Sequence, residues 1–154
     1  MAIRRAGRLL GAGVLISCVL GPAATAAGNT SSAIVRRVND IRTQHGLARL
    51  KVTPELSQAA AAHCSEMMAG EGLSHGTLQA RLEHYFSAGT YGETIAWMPI
   101  GPASGAGAVV RAWMNSPPHR AVLLSRRFDR IGVAAQRGTM GGQRGTSFTI
   151  DVAS

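Results

Sequence analysis

An α+β fold, with helices flanking a small antiparallel sheet, is predicted by three features of the chain. Apolar residues recur at helical spacing in four segments between residues 33 and 114. Near the C-terminal end, Arg130 to Gln136 and Ser147 to Val152 alternate apolar and polar side chains as strands do, with glycine-rich residues 137–145 between them as a hairpin loop. No internal repeat is visible, and 154 residues is the length of one domain around one core.

The chain opens as a secretory signal does. Arg4, Arg5 and Arg8 form a positive start, Leu9 to Leu20 an apolar run, Pro22 a break, and Ala24-Thr25-Ala26 a small-x-small cleavage pattern. The apolar run is shorter than the about 20 residues a bilayer-spanning helix needs, so no transmembrane segment is expected. Residues 1–26 are therefore read as a signal peptide, 27–32 as a short linker and 33–154 as the folded domain. Leu15-Ile16-Ser17-Cys18 offers a competing outcome, acylation on Cys18 as in a bacterial lipoprotein. Val19 and Leu20 keep the chain apolar beyond that cysteine, which disfavours it. Both outcomes put the domain outside the cytoplasm.

The first mature helix carries Ile34, Val35, Val38 and Ile41 on one face, capped by Ser31 or Ser32 and stopped at Gly46. Leu47 and Leu50 belong to an extended connector. Thr53-Pro54-Glu55 reads as cap, first-turn proline and first-turn acid of a second helix, with Leu56, Ala60, His63 and Met67 inward and Gly70 and Gly72 at its end. A third helix follows Thr77, with Leu78, Leu82, Tyr85 and Phe86 inward, and ends at Gly89. Tyr91 to Trp97 reads as a strand, residues 99–107 as a Gly/Pro loop, and Val109, Val110, Trp113 and Met114 as a fourth helix.

The net charge is +8. Without Arg4, Arg5 and Arg8 there remain 13 basic and 8 acidic residues, a net +5 that favours anionic envelope surfaces or lipids. Few aromatics and no base-stacking motif argue against nucleic acid. With Cys18 removed or acylated, Cys64 stands alone, which excludes a disulfide scaffold. Cys64 is read as a small buried hydrophobe.

The chemistry gathers at Trp113-Met114-Asn115-Ser116-Pro117-Pro118-His119-Arg120. A residue before proline is pushed out of the α region, so the helix carrying Trp113 ends near Asn115 or Ser116. Ser116 then caps a new short helix with Pro117 at its first position and His119 in its first turn. The positive helix end disfavours an imidazolium, leaving the neutral ring that a metal ligand or general base needs; the alternative is a ring that merely hydrogen-bonds the turn. His75 lies in a glycine-flanked loop free to converge on a site. Glu93 begins an apolar strand, where a carboxylate calls for a partner unless the strand start is exposed. His63, on an apolar helical face, is read as a satisfied core histidine. His45 and His84 are read as surface residues, and Arg120, Arg126, Arg127 and Arg130 as a solvated basic run.

Taken together, residues 38–42 (Val-Asn-Asp-Ile-Arg), 46–47, 56–67, Ser74-His75, residues 92–96 (Gly-Glu-Thr-Ile-Ala), 113–120 with Leu123-Leu124, and Phe128 with Ile131-Gly132-Val133 and the Phe148 strand follow the order of a known pattern. The chain resembles the CAP superfamily of cysteine-rich secretory proteins, antigen 5 and pathogenesis-related class 1 proteins, in its bacterial SCP-like extracellular branch. The resemblance spans about residues 33–152. It implies an α-β-α sandwich and a cleft of two histidines and two glutamates that holds a divalent metal such as zinc in some members. Position by position, His75, Glu93 and His119 match three of these. The fourth falls at Ser116, where eukaryotic members carry glutamate. Thr94, Pro118 and Val122 also depart from the usual Asn, Gly and Asn.

The expected function is a secreted binding module, taken to be a monomer, whose cleft (His75, Glu93, Ser116 and His119) holds a lipid, peptide or wall component. Its expected metal ligands are His75 and His119, with Glu93 third. The alternative is a zinc-dependent hydrolase in the same cleft. Catalytic zinc takes three protein ligands and an open position. Glu93 cannot be both third ligand and base, so the count favours binding. Cleavage after Ala26 predicts an exported form beginning at Ala27, and intact-mass measurement checks it, an acylated Cys18 being the competing result.

Overall fold

The computed structural model describes residues 22–101 and 104–154, with side chains from Gly28 onward. Residues 1–21, including most of the expected signal segment and Cys18, lie outside the described residues. The elements run α1 (Pro22–Gln44), β1 (Lys51–Val52), α2 (Pro54–Ala69), α3 (Leu78–Tyr85), β2 (Tyr91–Pro99), α4 (Ala106–Asn115), α5 (Pro117–Leu123), β3 (Arg130–Met140) and β4 (Gln143–Ala153). The sheet order is β1-β3-β4-β2.

Helix α1 starts upstream of Ser31 and Ser32, so neither serine caps it, and it passes through residues 27–32. Pro22 suits a first helical position, and Ala23, Ala24, Ala26 and Ala27 are the strongest helix formers, which outweigh the polar run Gly28 to Ser32. The end agrees with expectation: Gly46 takes φ +67°, the left-handed stop that glycine adopts without strain. Among the described residues no helix is long and apolar enough to cross a membrane.

Two expectations about the sheet are corrected. It is mixed, because β1 joins it in parallel, Lys51 opposite Arg130 and Val52 opposite Ile131. Leu50, 3% exposed, draws the connector against the edge of β3, and Asn39 holds it there by bonding both the Leu50 amide (2.7 Å) and carbonyl (3.0 Å). Residues 137–145 are mostly strand, not loop. The hairpin runs on until Met140 faces Gln143, and Gly141 (φ +56°) and Gly142 (φ +75°) alone make the turn. Two successive positive-φ residues match the right-handed twist of the flanking strands.

Helices α1, α4 and α5 cover one face of the sheet. Ile34, Val38, Val109, Trp113 and Leu123 meet Phe148, Ile150, Val152, Ile131 and Val133 in the main core. Helices α2 and α3 cover the other, with Leu56, Ala59 and Leu82 against Ala153, and Ala60 and Cys64 against Ala134. The result is an α-β-α sandwich. Because β4 is central, both its faces are buried, and the polar members of its alternation (Ser147, Thr149, Asp151) are as buried as the apolar ones.

Close approach at two glycines brings the layers together. A Cβ at Gly132 would fall on the backbone of Leu56 and Ser57, so α2 lies directly on β3 there. A Cβ at Gly92 would stand 2.9 Å from the Phe128 ring and 3.1 Å from Val122, where α5 and its following loop cross β2. Arg42, 2% exposed, fixes that loop: its guanidinium donates to the carbonyls of Ala48 (2.9 Å), Leu123 (2.8 Å), Ser125 (2.9 Å) and Phe128 (3.3 Å).

Backbone cannot yield at Gly132 as a flexible side chain could. Gly132→Ala is expected to destabilise by about 3 kcal/mol, the upper range of overpacking costs, read as a lowered urea midpoint. A midpoint within error of wild type would mean that α2 does not press on β3 as described.

Candidate functional site

The candidate site begins on β2. Glu93 follows Gly92 on the strand and faces the α2/α3 layer, directly opposite Asp151 of β4. It is 5% exposed, so the exposed strand start is not what forms. Both its oxygens have partners. Oε1 lies 2.7 Å from His75 Nδ1, and Oε2 is bound by the Arg81 guanidinium. His63 Nε2 lies 3.5 Å from the same Oε2.

His75 reaches Glu93 from the loop between α2 and α3. The loop is anchored from beneath by His63, which is buried on α2. Its Nε2 donates to the Ser74 carbonyl (2.8 Å) and its Nδ1 meets Glu66 (3.1 Å). Gly76 adopts φ +52°, a turn glycine makes without strain. His75 itself is half exposed, held by its inner nitrogen and open at the other. His63 is thus a satisfied core histidine, and its contacts extend to Glu93.

Arg81 projects from α3 between two carboxyl groups, Glu93 and Asp151 (Oδ2 at 3.2 Å). Asp151 is fully buried, and its other oxygen has no hydrogen-bond partner among the described residues. Burial pushes its carboxyl up to about 8; the Arg81 guanidinium pulls the other way, and Glu93 adds to the rise. With Asp151 protonated, one guanidinium faces one carboxylate and the buried group is neutral. Cys64 is buried nearby, its Sγ 3.3 Å from the Thr149 hydroxyl, and burial raises its thiol.

On the opposite wall the double proline acts as read. Helix α4 ends at Asn115, Ser116 stands between the helices, and α5 begins at Pro117. The Ser116 hydroxyl does not cap the backbone. It lies 2.8 Å from His119 Nδ1. The His119 pKa falls below the ordinary value, first through burial and then through the nearby His75. The ring is therefore neutral near pH 7, chiefly by desolvation. No hydrogen bond joins His119 to Glu93. The Nε2 atoms of His75 and His119 have no partner among the described residues. Nor do those residues include a group of three or more His, Cys, Asp or Glu arranged to hold a metal ion. Beside α3 lies a hollow of about 340 Å³, lined by Leu78, Gln79, Ala88, Gly89, Thr90 and Tyr91.

The model of the CAP family, the cysteine-rich secretory protein family, matches residues 35–151. This chain belongs to that family. The CAP domain is 33% identical to the uncharacterized membrane protein YlbC of Bacillus subtilis, over 68% of this chain and 31% of that protein. It resembles an extracellular SCP-domain protein of Bacillus anthracis at 26% identity and TM-score 0.73, covering 89% of this chain and 45% of the other. An outer surface protein of Borrelia burgdorferi shares the fold at 21% identity and TM-score 0.69, over 82% and 92% of the two chains. A cysteine-rich secretory protein of Staphylococcus aureus does so at 19% and 0.66, over 82% and 39%. The chain thus spans under half the length of three of these four relatives.

Sequence reasoning missed Arg81 and Asp151. One signal was available: a carboxylate inside an otherwise buried strand, Ile150-Asp151-Val152, needs a cation, and Arg81 lies next to the inward Leu82 on the neighbouring helix.

Asp151 sets a pH dependence. Its folded-state pKa, about 8, exceeds the ordinary value of 3.8, so the native state holds the proton more tightly. The associated stability is fully present below about pH 4 and is lost as pH rises through 8. Asp151→Asn keeps an acceptor for Arg81 without the proton. Its melting temperature is expected to fall less than that of wild type between pH 5 and 9. Parallel melting curves across that range would contradict the assignment.

Proposed function

We propose that this CAP domain is an exported, extracellular binding module whose cleft offers the two imidazoles of His75 and His119 to a ligand. The observation that carries this reading is the occupancy of Glu93. Both carboxylate oxygens are held, by His75 and by Arg81, and its side chain is wholly buried. A general base must reach a water or substrate proton, and Glu93 is committed inward. Its role is to orient His75, as Ser116 orients His119, each leaving Nε2 outward.

Two imidazole nitrogens are fitting donors for a divalent metal such as zinc. His75 and His119 would hold the ion, with Glu93 and Ser116 behind them fixing tautomer and ring orientation. Bound there, the ion would supply a Lewis-acidic contact to an anionic or carbonyl group. The ligand class that suits this cleft is a lipid, a peptide or a fragment of the cell wall. The B. anthracis relative is an extracellular protein, which supports the location, as does the signal-like start of the chain.

Zinc titration by calorimetry tests the reading. Wild type is expected to bind one ion, the double variant His75→Ala, His119→Ala none, and Glu93→Gln one ion about 10–100-fold more weakly. Equal binding by wild type and the double variant removes the shared site. Hydrolysis of an ester or peptide probe that a chelator abolishes would establish the hydrolase reading instead.

A further inference from the structure

The charges of this domain are sorted by layer. On α1, α4, α5 and the loop after α5, six guanidinium groups are exposed: Arg36, Arg37, Arg111, Arg120, Arg126 and Arg127. The exposed carboxylates on those elements are Asp40 and Asp129, and each already has a cation, Arg49 at 3.1 Å and Arg130. The opposite layer has the reverse sign. Helices α2 and α3 and the turn between them expose Glu55, Glu66, Glu71 and Glu83, while their one arginine, Arg81, is turned inward onto two carboxyl groups.

The basic groups are available as well as numerous. Arg120 donates to the His45 ring (3.1 Å), tying α5 to the end of α1 without losing its charge. The other five have no hydrogen-bond or ion-pair partner among the described residues. Two of them converge: the Arg37 and Arg111 guanidiniums each come within 3.4 Å of where a Cβ on Gly107 would stand. Like charges gathered without a counter-ion raise the local potential and draw an anion. Arg42, buried beneath, fixes the loop bearing Arg126 and Arg127 to α1, so the array is held by the fold rather than by a mobile arm.

We propose that the α1/α4/α5 layer docks on a bilayer of anionic phospholipid, with the α2/α3 layer turned away. The array is spread over several elements: Arg36 and Arg37 on α1, Arg111 on α4, Arg120 on α5, and Arg126 and Arg127 in the loop that follows. That suits a charged surface better than a single small anion. No aromatic side chain on these helices is free to stack on a base, since Trp113 is buried, which disfavours nucleic acid. The connection into α4 exposes Ile100, 54% accessible, an aliphatic contact that a lipid surface uses and a soluble polyanion does not.

Vesicle flotation of the full chain tests the docking. Vesicles of phosphatidylcholine alone are compared with vesicles containing about one third phosphatidylglycerol, at low and at high salt. Wild type is expected to partition onto the anionic vesicles and to lose the excess binding at high salt. Arg37→Glu with Arg111→Glu should lower that excess at least about tenfold, since each basic residue near such a surface is worth several-fold. Glu55→Lys with Glu83→Lys should leave it unreduced. The N-terminal residues are common to all forms and cancel in the comparison, and circular dichroism verifies that each is folded. Equal vesicle binding by wild type and the arginine variant overturns the proposal. So does retention on a soluble polyphosphate with none on vesicles.

Discussion

One guanidinium ties the α2/α3 layer of this molecule to its sheet. Arg81 lies between Glu93 and Asp151 in a space closed to water, where an isolated charge cannot stay. Three elements must be in register for the triad to exist: α3 for the arginine, β2 and β4 for the two acids. The His75 loop then follows from Glu93, and His63 secures that loop from below. Removing Arg81 costs about 3–5 kcal/mol, because the buried Glu93 carboxylate then has no cation in its place. The outer imidazole thus owes its position to a buried polar group that is inaccessible to any ligand.

The other wall is built from different physics. His119 depends on chain stiffness: two prolines end one helix and begin the next, and the serine between them turns its hydroxyl to the ring. That short helix is held to the sheet by packing at Gly92 and to α1 by Arg42. Arg42 has no carboxylate partner at all. It is satisfied by carbonyl oxygens at the ends of broken elements, where chain irregularity leaves acceptors free. Ion pairing fixes one side of the cleft and backbone capture the other.

Much of this was legible in the sequence, for local reasons. The double proline, the glycine stops and the hydrophobic spacing act over a few residues, so the elements around His119 and the inward face of α2 could be read directly. His75, Glu93 and His119 could be named, the last by helix-end chemistry and all three by the resemblance. What could not be read was set by tertiary context. β1 is a strand only because β3 lies beside it. Asp151 is buried because β4 became the central strand, which alternation alone does not reveal. Ser147, Thr149 and Asp151 have the pattern of a solvated face and lie under a helix instead. Helix α1 erred in the other direction, alanine propensity carrying it through a run that looked like linker.

The position of β4 in chain order has a consequence for how the protein is made. It follows β1, β2 and β3 in chain order, yet it separates β3 from β2 and supplies the acid opposite Glu93. A nascent chain that stops short of it has no sheet to close and leaves Arg81 and Glu93 without their third member. Such a chain stays open, its contacts waiting on partners far away in sequence, and folding of that kind is slow. Until β4 is available, β2 and β3 have no strand between them, so the sheet closes in one late step that also completes the buried polar group.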